Sequence, residues 1–153
     1  MVNRDQITVA AAIIFNSDDR FLIARKKKDL PNEGLWEFPG GKSEQGEDLL
    51  KTVERETMEE LSMAILFHPE CFCSYIYEQG DKELIIHFHF FIGWAGNPTM
   101  ILTDHDSTAW INPDEYSKYK FVPGDLPAME LLANHYERAC LISSGIRNRQ
   151  KYH

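Results

Sequence analysis

Residues 47–61, EDLLKTVERETMEEL, constrain this chain more than any other stretch. They contain no Gly or Pro and are rich in helix formers. On a 100° wheel Leu50, Val53, Thr57 and Leu61 share one face, which has to pack against an apolar surface. Strand-like segments on both sides can supply that surface. Residues 7–15, ITVAAAIIF, are apolar and partly β-branched and read as a buried strand. Residues 16–19, NSDD, signal a turn, with 20–25 as the returning strand of a pair. Residues 28–34 form a loop, and 36–38 a short extended piece stopped by Pro39-Gly40-Gly41. Residues 71–77 and 84–94 are aromatic-rich strands separated by a turn at Gly80-Asp81, and 108–111 a further short strand. Residues 126–143 read as a second amphipathic helix, with Met129, Leu132 and Tyr136 at helical spacing. The order ββ–α–βββ–α predicts an α+β fold, a mixed sheet flanked by helices as an α/β/α sandwich.

A chain of 153 residues suits one domain and can bury a core without disulfides. The expected domain covers residues 1–145, with 146–153 as a basic tail. Cys71, Cys73 and Cys140 are an odd number without framework spacing, which suits free thiols in a reducing compartment. No apolar run reaches the length of a membrane span, and the N-terminal residues lack a signal-like apolar segment. The expectation is therefore a cytoplasmic protein, monomer or homodimer, with no membrane partner.

The formal charge is −8, from 16 Lys+Arg and 24 Asp+Glu. That balance argues against a nucleic-acid polymer as partner. Its distribution is more informative. Residues 41–60 hold seven acids against three bases, half of the whole excess within 20 residues. Glu56, Glu59 and Glu60 stand at i, i+3 and i+4, neighbours along one edge of the apolar helix face. Like charges so spaced destabilise a helix by about 0.2–0.5 kcal/mol per pair unless a cation sits among them. Hard oxygen ligands without Cys or His point to Mg²⁺, with Mn²⁺ as an alternative, held jointly by carboxylates and substrate phosphates. Gly40-Gly41 ahead of the helix allows a tight turn and can present a main-chain carbonyl to the metal. Arg55 stands beside the carboxylates and could pair with Glu47 or Glu59. A solvated charged helix face is the plain alternative for any single Glu pair, but it does not account for the whole constellation.

This constellation resembles the Nudix box, Gly-x5-Glu-x7-Arg-Glu-U-x-Glu-Glu-x-Gly-U, where U is bulky and apolar. Gly41, Glu47, Arg55, Glu56, Glu59, Glu60 and Met63 match it. Thr57 occupies an apolar position, and Ser62 replaces the last glycine. Residues 35–42, LWEFPGGK, together with Trp110-Ile111 and residues 121–127, FVPGDLP, are similar to the MutT-like branch, which cleaves nucleoside triphosphates. The similarity spans about residues 7–135.

The resemblance implies hydrolysis of a nucleoside triphosphate to monophosphate and pyrophosphate with a divalent cation. Glu56, Glu59 and Glu60, with a carbonyl of Gly40 or Gly41, would hold the metal. Arg55 would steady the array, and Glu47 would be structural. Asp104 would be an added ligand or base, preferred over Asp106; both could instead decorate a solvated loop. Asp125 would hydrogen-bond the nucleobase, or cap the helix at 126, or both. Phe38 would stack on the base or fill the core. Arg25 and Lys26 would reach phosphates or sugar. The implied activity is removal of oxidised purine nucleotides of the 8-oxo-dGTP type from the precursor pool, with CTP, dCTP or a modified pyrimidine nucleotide as the rival substrate. A nucleotide-sensing module without catalysis is a third reading, opposed by the intact carboxylates and Arg55. His87 and His89 share a strand face, as do Cys71 and Cys73; neither pair has a further ligand in sequence that completes a metal or redox site.

Overall fold

The structure is a computed structural model and describes residues 5–68, 71–94 and 100–140. Its strands are β1 (Asp5–Ile13), β2 (Phe21–Lys26), β3 (Trp36–Glu37), β4 (Gly40–Lys42), β5 (Ile65–Phe67), β6 (Cys73–Gln79), β7 (Lys82–Trp94) and β8 (His105–Ile111). Helix α1 spans Leu49–Leu61 and α2 spans Leu126–Asn134, preceded by short 3₁₀ turns at Pro113–Lys118 and Pro123–Asp125. Among the described residues the strands form two sheets. The larger runs β4-β1-β7-β5, with β6 also on β7, and the smaller runs β3-β2-β8.

The long strand β7 organises the larger sheet. One edge pairs in parallel with β1, Asp5 opposite Lys82 through Ile13 opposite Phe90. The other edge is shared, first by β6 and then by β5, both antiparallel. Residues 10–14 of β1 and the chain just beyond it are wholly buried because both sheet faces are covered there. Ala10, Ala12 and Ile14 face α1 through Val53 and Leu61, while Ala11, Ile13 and Phe15 join Phe88, Phe90, Met129 and Leu132 on the other side. The mixed sheet between helices is the α+β architecture expected from the order of segments.

Several local expectations need correction. The turn at 16–19 is present: Asn16 Oδ1 accepts from the backbone N–H of Asp18 and Arg20, both at 3.0 Å. The strands on either side do not form a hairpin, however. They share one bridge, Phe15 to Phe21, and then enter different sheets. β1 instead pairs along its whole length with β7 and, on its other edge, with the short β4. The extended piece ends at Glu37, ahead of Pro39-Gly40-Gly41, but the chain becomes a strand again at once. Gly40 and Gly41 lie in β4, antiparallel to Ala11 and Ala10. Gly40 has φ +155°, and a Cβ there would collide with the Ala10 carbonyl, so only glycine lets this strand approach β1. The helix starts at Leu49 rather than 47, because Asp48 caps it by accepting from the Lys51 N–H at 2.8 Å. Strand β5 falls in a segment with no strand expectation. The second helix breaks at His135 (φ −127°, ψ 27°) and resumes as one turn over 136–140. Residues 141–143 of the expected helix and the basic tail at 146–153 lie outside the described residues.

Two connections position the site. The Trp36 N–H donates to Lys120 O and the Val122 N–H to Trp36 O, both at 2.9 Å, which clamps the approach to α2 onto β3. The N–H groups of Ile101 and Thr103 donate to Leu61 O and Glu60 O, tying the segment before β8 to the end of α1.

Candidate active site

Because α1 begins after Glu47, that side chain can turn back onto the helix. Arg55 meets it as a fork, Nε to Oε2 at 2.8 Å and Nη2 to Oε1 at 2.9 Å. The Thr52 hydroxyl donates to the same carboxylate at 2.7 Å. With Arg55 and Thr52 on it, the Glu47 carboxyl is held down to about 2. Arg55 Nη1 also donates to Glu56 Oε1 at 2.9 Å and to Glu59 Oε2 at 3.1 Å, and Nη2 to the Lys42 carbonyl at 2.9 Å. One guanidinium thus ties β4, the loop before α1 and two of the helix glutamates into a single array.

Glu56 lies against Gly41, where a Cβ would strike its carboxylate. Burial raises its pKa against the pull of Arg55, with Glu59 and Asp104 adding to the rise. Asp104 is therefore near enough to act on Glu56, and its carbonyl accepts from the Lys27 N–H at 3.1 Å. Glu60 is the most enclosed of the three. Its Oε2 faces the Gly40 N–H at 3.4 Å. Burial first, then the charges of Glu37 and Glu56, push its pKa up to about 9. Glu59 points outward, with 58% of its side chain exposed.

The donor set suits a hard divalent cation. Glu56 and Glu60 are carboxylates in an environment that penalises their charge, Gly41 leaves room for the Glu56 carboxylate where it stands, and no thiol is among them. Among the described residues no three His, Cys, Asp or Glu side chains close a metal cage by themselves. With Mg²⁺, substrate phosphates and water would complete the shell.

On the other side of β3, the buried Asp125 Oδ2 accepts from the Phe38 N–H at 2.8 Å. Burial, then the charge of Glu37, raises its pKa well above the ordinary carboxyl value. Asp125 makes no side-chain cap to α2. The Phe38 ring is 3% exposed and packs among Phe21, Phe88 and Phe121, so it fills the core. Lys26 Nζ stands 3.8 Å from Glu37 Oε1. Arg25 is engaged elsewhere, 2.7 Å from Asp106 and over the Trp36 ring at 5.8 Å. Asp106 is therefore tied to Arg25. His87 shares a hydrogen bond with the Ser74 hydroxyl at 2.6 Å, and His89 bonds the His68 carbonyl at 3.0 Å. Burial pushes the Cys73 thiol up to about 12, which leaves no thiolate for redox chemistry at neutral pH.

The family profile of the NUDIX domain matches residues 5–132. The chain belongs to the Nudix hydrolase family. It is 33% identical over 124 residues to a CTP pyrophosphohydrolase of Escherichia coli, covering 81% of this chain and 89% of that one. It is 32% identical over 93 residues to the 8-oxo-dGTP diphosphatase of the same organism, covering 61% and 71%. Among solved structures, the E. coli ORF135 protein superposes with a TM-score of 0.76 at 29% identity, covering 89% and 94%. The MutT protein of Methanosarcina mazei also reaches 0.76, at 21% identity and covering 90% and 99%, and shares the fold.

Both departures from the Nudix box have a local explanation. Thr57 is buried and donates to the Val53 carbonyl at 2.8 Å, so its hydroxyl is satisfied within the helix. Ser62 adopts the left-handed conformation (φ 56°, ψ 34°) that the box glycine would take more easily. Two residues that the sequence did not single out also belong to this site. Glu37 stands between Lys26, His105 and the charge fields of Glu60 and Asp125. His105 is buried beside Glu60. The available signal was a charged residue at a half-buried strand position between Trp36 and Phe38.

Proposed function

We propose that this Nudix hydrolase cleaves nucleoside triphosphates to nucleoside monophosphate and pyrophosphate with Mg²⁺, Mn²⁺ serving as a substitute. The observation that carries the reading is the helix-face array of Glu56, Glu59 and Glu60 beside the glycine pair, the first two held by Arg55. Glu56, Glu59 and Glu60, with a carbonyl of Gly40 or Gly41, are the residues that would hold the ion. When bound, it supplies positive charge to the phosphate chain and lowers the pKa of a coordinated water. Arg55 keeps Glu56 and Glu59 in register while remaining attached to Glu47. Asp104, whose charge acts on Glu56, would take a proton or complete the ligand set. Lys26 supplies a cation beside Glu37 that can shift to a phosphate or sugar oxygen.

Base recognition is assigned to Asp125. One of its oxygens is occupied by the Phe38 N–H. Burial favours the neutral form of the carboxyl, which can donate one hydrogen bond as well as accept. It would then read a base edge with an acceptor beside a donor. Guanine offers O6 beside N1–H on its pairing edge in either form, while its N7/O6 edge shows two acceptors until oxidation at C8 places a proton on N7. Read on the N7/O6 edge, the oxidised guanine nucleotide is favoured. Cytosine, with its amino donor beside N3, fits equally, and the coverage of the CTP pyrophosphohydrolase relative favours that second reading. A panel of 8-oxo-dGTP, dGTP, CTP, dCTP and 5-substituted dCTP, compared by kcat/KM, tests the assignment. At least one donor–acceptor base should exceed dGTP by an order of magnitude or more. Equal rates on all five would refute the role of Asp125.

A further inference from the structure

His105 opens β8 at a point where the β2–β8 register shifts between Arg25 and Lys26, so its backbone placement is fixed by both strands. Its side chain is 0% exposed. Neither ring nitrogen has a hydrogen-bond partner. A buried imidazole seldom leaves both nitrogens unsatisfied, and such groups call for an explanation. Here each nitrogen faces a carboxyl group. Nδ1 lies 3.8 Å from Glu60 Oε2, and Nε2 lies 3.8 Å from Glu37 Oε2. Both separations are about 1 Å too long for hydrogen bonds. The same Glu60 oxygen accepts a long 3.4 Å contact from the Gly40 N–H.

The geometry points to His105 as a positioning residue that donates Nδ1–H to Glu60 and aims that carboxylate at the divalent cation. This rests on the metal-site reading proposed above. In the structure Glu60 sits between two loose donors, Gly40 and His105. A movement of about 1 Å toward the ring converts the contact into a hydrogen bond and fixes which oxygen remains for the metal. Glu37 keeps the ring from swinging away, with its other oxygen facing Lys26. Outer residues that orient a metal ligand in this way commonly change metal affinity 10–100-fold when removed.

The test is Mn²⁺ binding to the full chain without nucleotide, followed by electron paramagnetic resonance. His105→Leu keeps apolar bulk and removes the donor. His105→Asn restores a donor near the Nδ1 position, and His105→Gln places one near Nε2 instead. Thermal unfolding of each variant in chelator reports the fold separately. The expected result is Mn²⁺ binding weakened 10–100-fold in His105→Leu, largely recovered in His105→Asn, and recovered less in His105→Gln. In turnover, the metal concentration for half-maximal rate rises in His105→Leu while the nucleotide KM at saturating metal stays put. Binding within twofold of wild type in a folded His105→Leu protein would overturn the proposal. If His105→Leu does not fold, equal affinities of the Asn and Gln variants would overturn it. Wild-type protein that binds no Mn²⁺ either alone or with a non-hydrolysable nucleotide present would instead overturn the metal-site reading itself.

Discussion

Replacing Glu60 by Gln tests the electrostatics of the site without any substrate. In the folded protein without metal, the Glu60 carboxyl moves from an ordinary 4.5 to about 9. A raised folded-state pKa makes the folded protein hold a proton that the unfolded chain releases. The stability tied to that proton is fully present below about 4.5, declines as pH rises, and is lost once pH passes about 9. The slope is about 1.4 kcal/mol per pH unit. At pH 7.5 the burden is on the order of 4 kcal/mol as an upper bound, since water entry and side-chain movement soften it. Glutamine has the same shape, is neutral at every pH, and can still accept from the Gly40 N–H. Glu60→Gln in chelator should therefore be more stable than wild type at pH 7.5, by about 1–4 kcal/mol. For a chain of this size that is a rise in Tm of at least about 2 °C. The gap should close toward pH 5. Thermal unfolding of both proteins at pH 5, 6 and 7.5 gives the difference, in which titrating groups remote from Glu60 cancel. Mg²⁺ should stabilise wild type but not the variant, and turnover should fall on the order of 100-fold or more. A variant no more stable than wild type at pH 7.5, or a gap that does not widen with pH, would refute the reasoning.

Other substitutions probe separate parts of the site. Gly41→Ala places a methyl group against the Glu56 carboxylate; the flexible side chain can move aside, so the fold should persist while Mn²⁺ binding and turnover fall together. Asp125→Ala leaves the buried Phe38 N–H without a partner and should cost about 1–3 kcal/mol in denaturant unfolding. Asp125→Asn keeps an acceptor, should cost less, and should alter the ranking of nucleotides in the kcat/KM panel. Ser62→Gly relieves the left-handed conformation at the end of α1 and should add about 1 kcal/mol, read as a rise in Tm with unchanged turnover.

The helix and its carboxylates were legible because their signals are local. Helical spacing places Glu56, Glu59 and Glu60 together, and Leu61 and Val53 on the buried face, whatever the tertiary fold. Strand partners are not local. Residues 16–19 do turn the chain, yet whether β1 pairs with β2 or β7 depends on burial of both faces of residues 10–14. Gly40 looked like a breaker because its use, passing within touching distance of Ala10, exists only once β4 and β1 meet. Asp125 could be placed near the site by resemblance, but its choice of Phe38 over a cap on α2 follows from the clamp between Trp36 and residues 120–122. His105 and Glu37 were missed for the same reason: single residues on separate strands acquire a role only when the sheet brings them to Glu60.

Product analysis tests the central claim most directly. Purified protein is incubated with 8-oxo-dGTP and with CTP, in Mg²⁺ and in excess chelator, and the phosphorus-containing products are resolved by ³¹P NMR. Equimolar nucleoside monophosphate and pyrophosphate, formed only with Mg²⁺ and abolished in Glu60→Gln, is the predicted result. Release of inorganic phosphate with nucleoside diphosphate, or no Mg²⁺-dependent product from any triphosphate, would contradict it.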